Sequence, residues 1–156
     1  PLIKVYMSEG SHETNRVALR HIGMGEANFV RLASDDQGRM DIDALAAALL
    51  SHNGPKIVLA QAGHINSSAF EDFEAISKLA KHHNVWIHVD GAFGLWARVD
   101  PGKHALTHGV DLADSWSVDG HKWLKIPYDS GVAIVRDRDA HRRAMDITAS
   151  YLTEAA

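Results

Sequence analysis

The sequence predicts a three-layer α/β/α fold with a mainly parallel sheet. Short apolar strands alternate with amphipathic helices, one stretch forms a complete β-α-β unit, and polar clusters stand just after the strands. That unit begins with the buried-type run Ile57-Val58-Leu59-Ala60 within residues 56–62. It continues through residues 71–83, where Phe73, Ile76, Leu79 and Ala80 recur at helical spacing, and closes on a second apolar strand at 85–89. Such units join parallel strands by right-handed crossovers and cover both faces of a sheet with helices.

The other elements follow in order. Val5-Tyr6-Met7-Ser8 reads as a strand, the polar Glu9-Gly10-Ser11 as the break after it, and residues 12–22 as a helix stopped by Gly23. Asn28-Phe29-Val30-Arg31-Leu32 is a further short strand, followed by a turn at Asp35-Asp36-Gln37-Gly38. Asp41 is placed to cap a helix over 42–51, whose stripe is Ile42, Leu45 and Leu49 and which ends near Gly54-Pro55. Beyond an irregular stretch around Asp100-Pro101-Gly102, residues 112–118 and 131–135 read as strands and 138–145 as a last helix.

With 156 residues, 46% of them hydrophobic, the chain can bury one substantial core, so residues 1–156 are expected to belong to a single domain. A net charge of -4 without long runs of one sign offers no footprint for nucleic acid or an anionic membrane surface. The absence of cysteine removes disulfides, thiolate metal sites and cysteine nucleophiles, and fits a reducing, cytoplasmic location. No apolar run reaches the roughly 20 residues of a spanning helix. The chain opens on Pro1-Leu2 and stops soon after a helical segment, so both ends are expected to continue into missing N-terminal and C-terminal segments.

In open sheets of this type ligands gather beyond the carboxyl ends of the strands. Trp86-Ile87-His88-Val89-Asp90-Gly91-Ala92 puts a carboxylate where an apolar strand gives way to small residues that allow close backbone approach. A buried Asp90 needs a cationic partner. A pyridinium nitrogen is one, and an aspartate facing it keeps the ring protonated as the electron sink of pyridoxal chemistry; capping the next helix or pairing with Arg98 is the alternative. Ser117-Val118-Asp119-Gly120-His121-Lys122-Trp123 places a lysine after another strand, beside a histidine and under a tryptophan. A partly desolvated lysine near cationic groups becomes a competent nucleophile toward an aldehyde, against the commoner fate of a solvated loop lysine. His12 could lie flat against an aromatic ring or simply open a helix. Residues 61–70, with Asn66 as a candidate, form a polar loop suited to hydrogen-bonding a ring substituent, or an ordinary βα loop.

Taken in order, these motifs resemble the group II pyridoxal-phosphate decarboxylases, which include the aromatic amino acid, glutamate and histidine decarboxylases. Tyr6-Met7-Ser8 with His12 is similar to that family's Tyr-Met-Ser and ring-stacking histidine. His88-Val89-Asp90-Gly91-Ala92 is similar to its His-Val-Asp-(Ala/Gly)-Ala, whose aspartate pairs with the pyridinium nitrogen and whose alanine packs on the ring. Asp119-Gly120-His121-Lys122-Trp123 resembles its (Asn/Asp)-X-His-Lys-Trp, in which the lysine forms the internal aldimine and the histidine lies near the phosphate. The resemblance implies the large domain of a fold-type I enzyme, pyridoxal 5'-phosphate as cofactor, and Lys122, Asp90 and His12 as catalytic residues. Ala92, His121, Asp119 and Asn66 would complete the cofactor contacts. It further implies decarboxylation of an L-amino acid to an amine, and a homodimer.

The family's enzymes are much longer; the loop that cups the cofactor phosphate lies upstream of this segment and the tyrosine-bearing mobile loop downstream, so this stretch alone is not expected to complete the reaction. The loop Gly63-His64-Ile65-Asn66-Ser67-Ser68 departs from the family, which more often carries Asn or Thr at its second position and glycine where Ser68 stands. Aminotransferases, cysteine desulfurases and carbon-carbon lyases share the fold and the Asp and Lys pair, but His before Lys, Trp after it, and His12 favour the decarboxylase and lyase branch. A cofactor-free interaction fragment is the reading from a different class. A metal site among the eleven histidines is disfavoured, because His82-His83 and His104 with His108 fall on expected surface segments without ligand spacing.

Overall fold

The computed structural model describes residues 2–146. Its elements run β1 (Lys4–Ser8), α1 (Glu13–His21), β2 (Phe29–Leu32), α2 (Ile42–Leu50), β3 (Lys56–Gln61), α3 (Phe73–His83), β4 (Val85–Asp90), β5 (Ser115–Asp119), α4 (Gly120–Trp123), β6 (Gly131–Val135) and α5 (Arg138–Met145). The strands form one sheet in the order β2-β1-β3-β4-β5-β6. Every pairing from β2 to β5 is parallel, and β6 alone runs antiparallel against β5.

Side chains alternate across this sheet as a strand's two-residue period requires. Tyr6, Val58, Ala60, Ile87 and Val89 face one side and pack with Leu45 and Leu49 of α2 and Phe73, Ile76 and Ala80 of α3. Val5, Met7, Ile57 and Leu59 face the other, where Leu19 of α1 and Met24 cover them. The helices thus change faces where the order of strand addition reverses, between β1 and β3. That reversal is a topological switch point, where the loops leaving neighbouring strands part and open a crevice.

Helix boundaries follow local chemistry. Asp41, Asp72 and Asp137 accept from the backbone N–H three residues on, at 2.9, 2.9 and 2.8 Å, satisfying donors that a helix start leaves unpaired. Asn84 ends α3 at φ 52, in the left-handed region asparagine tolerates. The stretch left irregular from the sequence is wound into 3₁₀ turns at Leu95–Val99, Pro101–Thr107 and Val110–Leu112, so β5 begins three residues later than its apolar run suggested.

The ends of β3 and β4 are stitched together where backbone meets backbone. Ala62 N–H donates to the Asp90 carbonyl and Gly94 N–H to the Ala62 carbonyl, both at 2.8 Å. A Cβ on Gly94 would collide with that Ala62 carbonyl and come within 2.7 Å of the Phe70 ring. Gly94→Ala should therefore cost about 1–3 kcal/mol in stability, read as a lower urea midpoint; an unchanged midpoint would show that the two loops can separate freely.

Candidate active site

Parallel register aligns Gln61 of β3 with Asp90 of β4, and Asp90 with Ser117 of β5. These residues form a row across the sheet just where the strands end. All of them line a cavity of about 510 Å³ whose wall also includes His12, Asn15, Ala92, Phe93, Asp119, His121, Lys122 and Tyr128. Six of the seven residues expected from sequence are therefore brought together. Asn66 is not: it is exposed on the loop after β3, and its backbone N–H turns inward to His64 Nδ1 at 3.3 Å. From that loop Gly63 and Ile65 reach the cavity instead.

Asp90 is held by neutral donors. Asn15 Nδ2 donates to its Oδ2 at 2.9 Å and the Ala92 N–H to its Oδ1 at 3.1 Å. Arg98, the alternative partner, lies 4.0 Å from Asp111. His88, two residues earlier on the same face, is held below the usual histidine range by desolvation, opposed by the Asp90 charge. Ser115 Oγ accepts from the Trp86 indole and stands 2.8 Å from His88 Nδ1. The Ser115 hydroxyl hydrogen is then free to donate to Nδ1, leaving the ring's proton on Nε2.

Lys122 sits on α4, a turn too short and too rich in glycine and aromatic residues to read as a helix from sequence. Its Nζ lies 2.7 Å from Asp119 Oδ2 and 4.0 Å from the centre of the Phe93 ring. The expected setting is corrected on both counts. The nearest charge is an anion rather than a cation, and the aromatic over the ammonium is Phe93, while Trp123 is 65% exposed and faces away toward a separate apolar hollow. His121 is fixed from both ends, with Nδ1 3.1 Å from the Ser130 carbonyl and Nε2 3.5 Å from Asp119, and Tyr128 tilts over its ring at 4.3 Å. His12 both opens α1 and walls the cavity: the Thr14 N–H donates to Nδ1 at 3.3 Å, and Thr14 Oγ1 lies 2.7 Å from it.

The residues present suit pyridoxal phosphate. The cavity, walled by His12 and Ala92 among others, presents in Asp90 a carboxylate with no cationic partner among the described residues, suited to a protonated ring nitrogen, and in Lys122 a primary amine. Gln61 Nε2, buried in the same wall, has no hydrogen-bond partner among the described residues and is a donor in reserve. Asn15, Phe93 and Gln61 carry no sequence signal of their own, since each joins the site only through the sheet's register or a helix face. Among the described residues, no group of three or more His, Asp or Glu side chains is placed to hold a metal ion, and no helix is long and apolar enough to cross a membrane.

A mainly parallel sheet with a carboxylate and a lysine converging at the carboxyl ends of its strands defines the large-domain fold of fold-type I pyridoxal-phosphate enzymes. The chain belongs to the pyridoxal-dependent decarboxylase family, whose conserved domain (Pyridoxal-dependent decarboxylase conserved domain) matches residues 3–156. It is 28% identical over 155 residues to an aromatic-L-amino-acid decarboxylase of Bacillus atrophaeus, covering 97% of this chain and 32% of that protein. Against an L-2,4-diaminobutyrate decarboxylase of Rhizobium meliloti (strain 1021) the identity is 35% over 141 residues, covering 86% and 28%. The structure of Oryza sativa TDC with PLP and tryptamine superposes with a TM-score of 0.88 at 26% identity, over 98% of this chain and 32% of that one. Mouse CSAD in apo form gives 0.90 at 22% identity over 99% and 34%, a likeness of fold. The chain spans about a third of the length of these proteins.

The loop after β3 is closed by Glu71, which is 6% exposed and accepts from the Met40 N–H at 2.8 Å. Burial lifts its carboxyl from the ordinary 4.5 to about 7. Between those values the folded protein keeps a proton that the unfolded chain has released, so stability falls as pH rises through the window. The loss should amount to roughly 2–3 kcal/mol and should be missing from Glu71→Gln; urea midpoints at pH 5 and pH 8 that shift equally in both proteins would refute the assignment.

Proposed function

We propose that this chain is the cofactor-binding core of a longer enzyme that decarboxylates an L-amino acid to an amine, with Lys122 as the residue that carries pyridoxal phosphate covalently. The observation that carries the reading is that one cavity is lined by Asp90, an anion with no cationic partner among the described residues, by the amine of Lys122, and by His12 and Ala92. The family membership and the named decarboxylases among the relatives support it.

When bound, the cofactor supplies an electron sink for the bonding pair left as carbon dioxide departs. The chain's own residues prepare for this. Asp90, fixed by Asn15 and the Ala92 N–H, is aimed to keep a proton on the ring nitrogen. His12 and Ala92 would hold the ring and so orient the carboxylate to be released. Lys122 must leave Asp119 and give up a proton before its amine can react, and Asp119 with His121 beside it stands ready to take the charge. Overall, one proton replaces the departing carboxylate.

We extend the reading to a cytoplasmic homodimer. Ile65, Trp123 and Leu124, which are 47%, 65% and 51% exposed next to the cavity, would find cover in such an assembly.

The test is spectroscopic. Pyridoxal phosphate added to the full-length protein should produce a visible absorption band that borohydride traps on Lys122 and that Lys122→Ala abolishes. Asp90→Asn should retain the cofactor but lower kcat by about 10²–10³-fold. A full-length protein that stays colourless would instead identify a cofactor-free relative acting as an interaction surface.

A further inference from the structure

The crevice between the ends of β1 and β3 is bridged by one buried imidazole, His64, at a position where the family more often has Asn or Thr. Its Nε2 lies 2.9 Å from the carbonyl of Gly10 and its Nδ1 accepts from the Asn66 N–H at 3.3 Å. A carbonyl can only accept, so the ring carries its proton on Nε2 and both nitrogens are committed. The ring fills space left by two glycines: a Cβ on Gly10 would stand 3.0 Å from Nε2, and one on Gly38 only 2.8 Å. Around it, Ser8 Oγ donates to the Gly38 carbonyl at 3.0 Å and Ser67 Oγ to the Gln37 carbonyl at 2.6 Å. The loops after β1, β2 and β3 are thus fastened at one point, two residues before His12.

We infer that His64 is a positioning residue for His12, acting by clamping the Gly10 carbonyl and so fixing the height of the His12 ring above the cofactor plane. This rests on the reading of His12 as a ring-facing residue. Without the clamp, residues 8 and 9 stay tied to β2 and the loop after it through Ser8 Oγ to the Gly38 carbonyl and Glu9 N–H to the Leu32 carbonyl at 2.9 Å, but Gly10 loses its bond to the loop after β3. His12, whose ring is held from the other side by Thr14 in the first turn of α1, would then shift with its backbone and sample positions off the ring.

The geometry separates the two bonds chemically. His64→Asn retains an acceptor near Nδ1 but cannot reach Gly10; His64→Thr also falls short. His64→Gln places an amide N–H where Nε2 stood. In the full-length protein, the pyridoxal-phosphate dissociation constant should rise roughly three- to tenfold in His64→Asn and His64→Thr, the range expected from losing one partly buried hydrogen bond. In His64→Gln it should stay within about twofold of wild type. Without cofactor, amide exchange over residues 8–12 should accelerate in the first two variants and not in the third. In a His12→Ala background, His64→Asn should add nothing further to the dissociation constant.

Unchanged binding in both His64→Asn and His64→Thr, with His12→Ala weakened, overturns the clamp and leaves the reading of His12 standing. Losses that simply add in the double variant also overturn it, because they assign His64 to general stability. An unaffected His12→Ala overturns the role of His12 and the inference together.

Discussion

Gln61, Asp90 and Ser117 stand side by side because β3, β4 and β5 pair parallel and in register, and nearly everything at the site depends on that alignment. Parallel pairing obliges β1 through β5 to finish at the same edge. The two-residue alternation within each strand then decides which of the last side chains face the cavity. Asp90 owes its position to the register and its freedom from cations to the helix that follows β1, since α1 brings the neutral amide of Asn15 rather than the guanidinium of Arg16 to it. Arg16 is occupied with Glu13 and Glu26 on the outer face.

The same edge is where backbone crowding is greatest. Gly91 N–H reaches the Ser117 carbonyl at 2.9 Å, and a Cβ there would meet Leu95 at 2.5 Å. Small residues after β4 are therefore demanded by the packing of the sheet's end as well as by the approach of a flat ligand. Ser68 shows the opposite case. It adopts φ 62, in the left-handed region that costs an ordinary residue about 1–2 kcal/mol, at a position where the family favours glycine.

Much of the fold was legible in the sequence because its signals are local. The stripe of Leu45 and Leu49, the Asp41 cap and the β-branched run Ile57-Val58 each reflect periods or bonds that span only a few residues, and α2 and β3 appear where those signals put them. Asp90, Ala92, His121 and Lys122 were legible for the same reason, as short motifs at strand ends. What failed to show was relational. Phe93 and Asp119 become the neighbours of Lys122 only once α4 has formed, and α4, with its Gly120 and Trp123, has no periodicity to read. Asn66 seemed placed for a ligand because it follows a strand, but the loop from 63 to 68 closes on itself through Ser68 N–H to His64 O at 2.8 Å and carries the asparagine outward.

The contrast between Lys122, paired with Asp119, and Asp90, which has no charged partner among the described residues, has a consequence for how the site fills. The resting cavity is electrically lopsided, with one carboxylate satisfied by an ammonium and the other by dipoles alone. On the proposed reading, a heteroaromatic ring settling onto Asp90 would draw a proton in with it, while the amine of Lys122 would have to release one to react. Loading would then be an exchange of protons within the cavity, and the calorimetric heat of cofactor binding would follow the ionisation enthalpy of the buffer only to the extent that these two transfers fail to cancel.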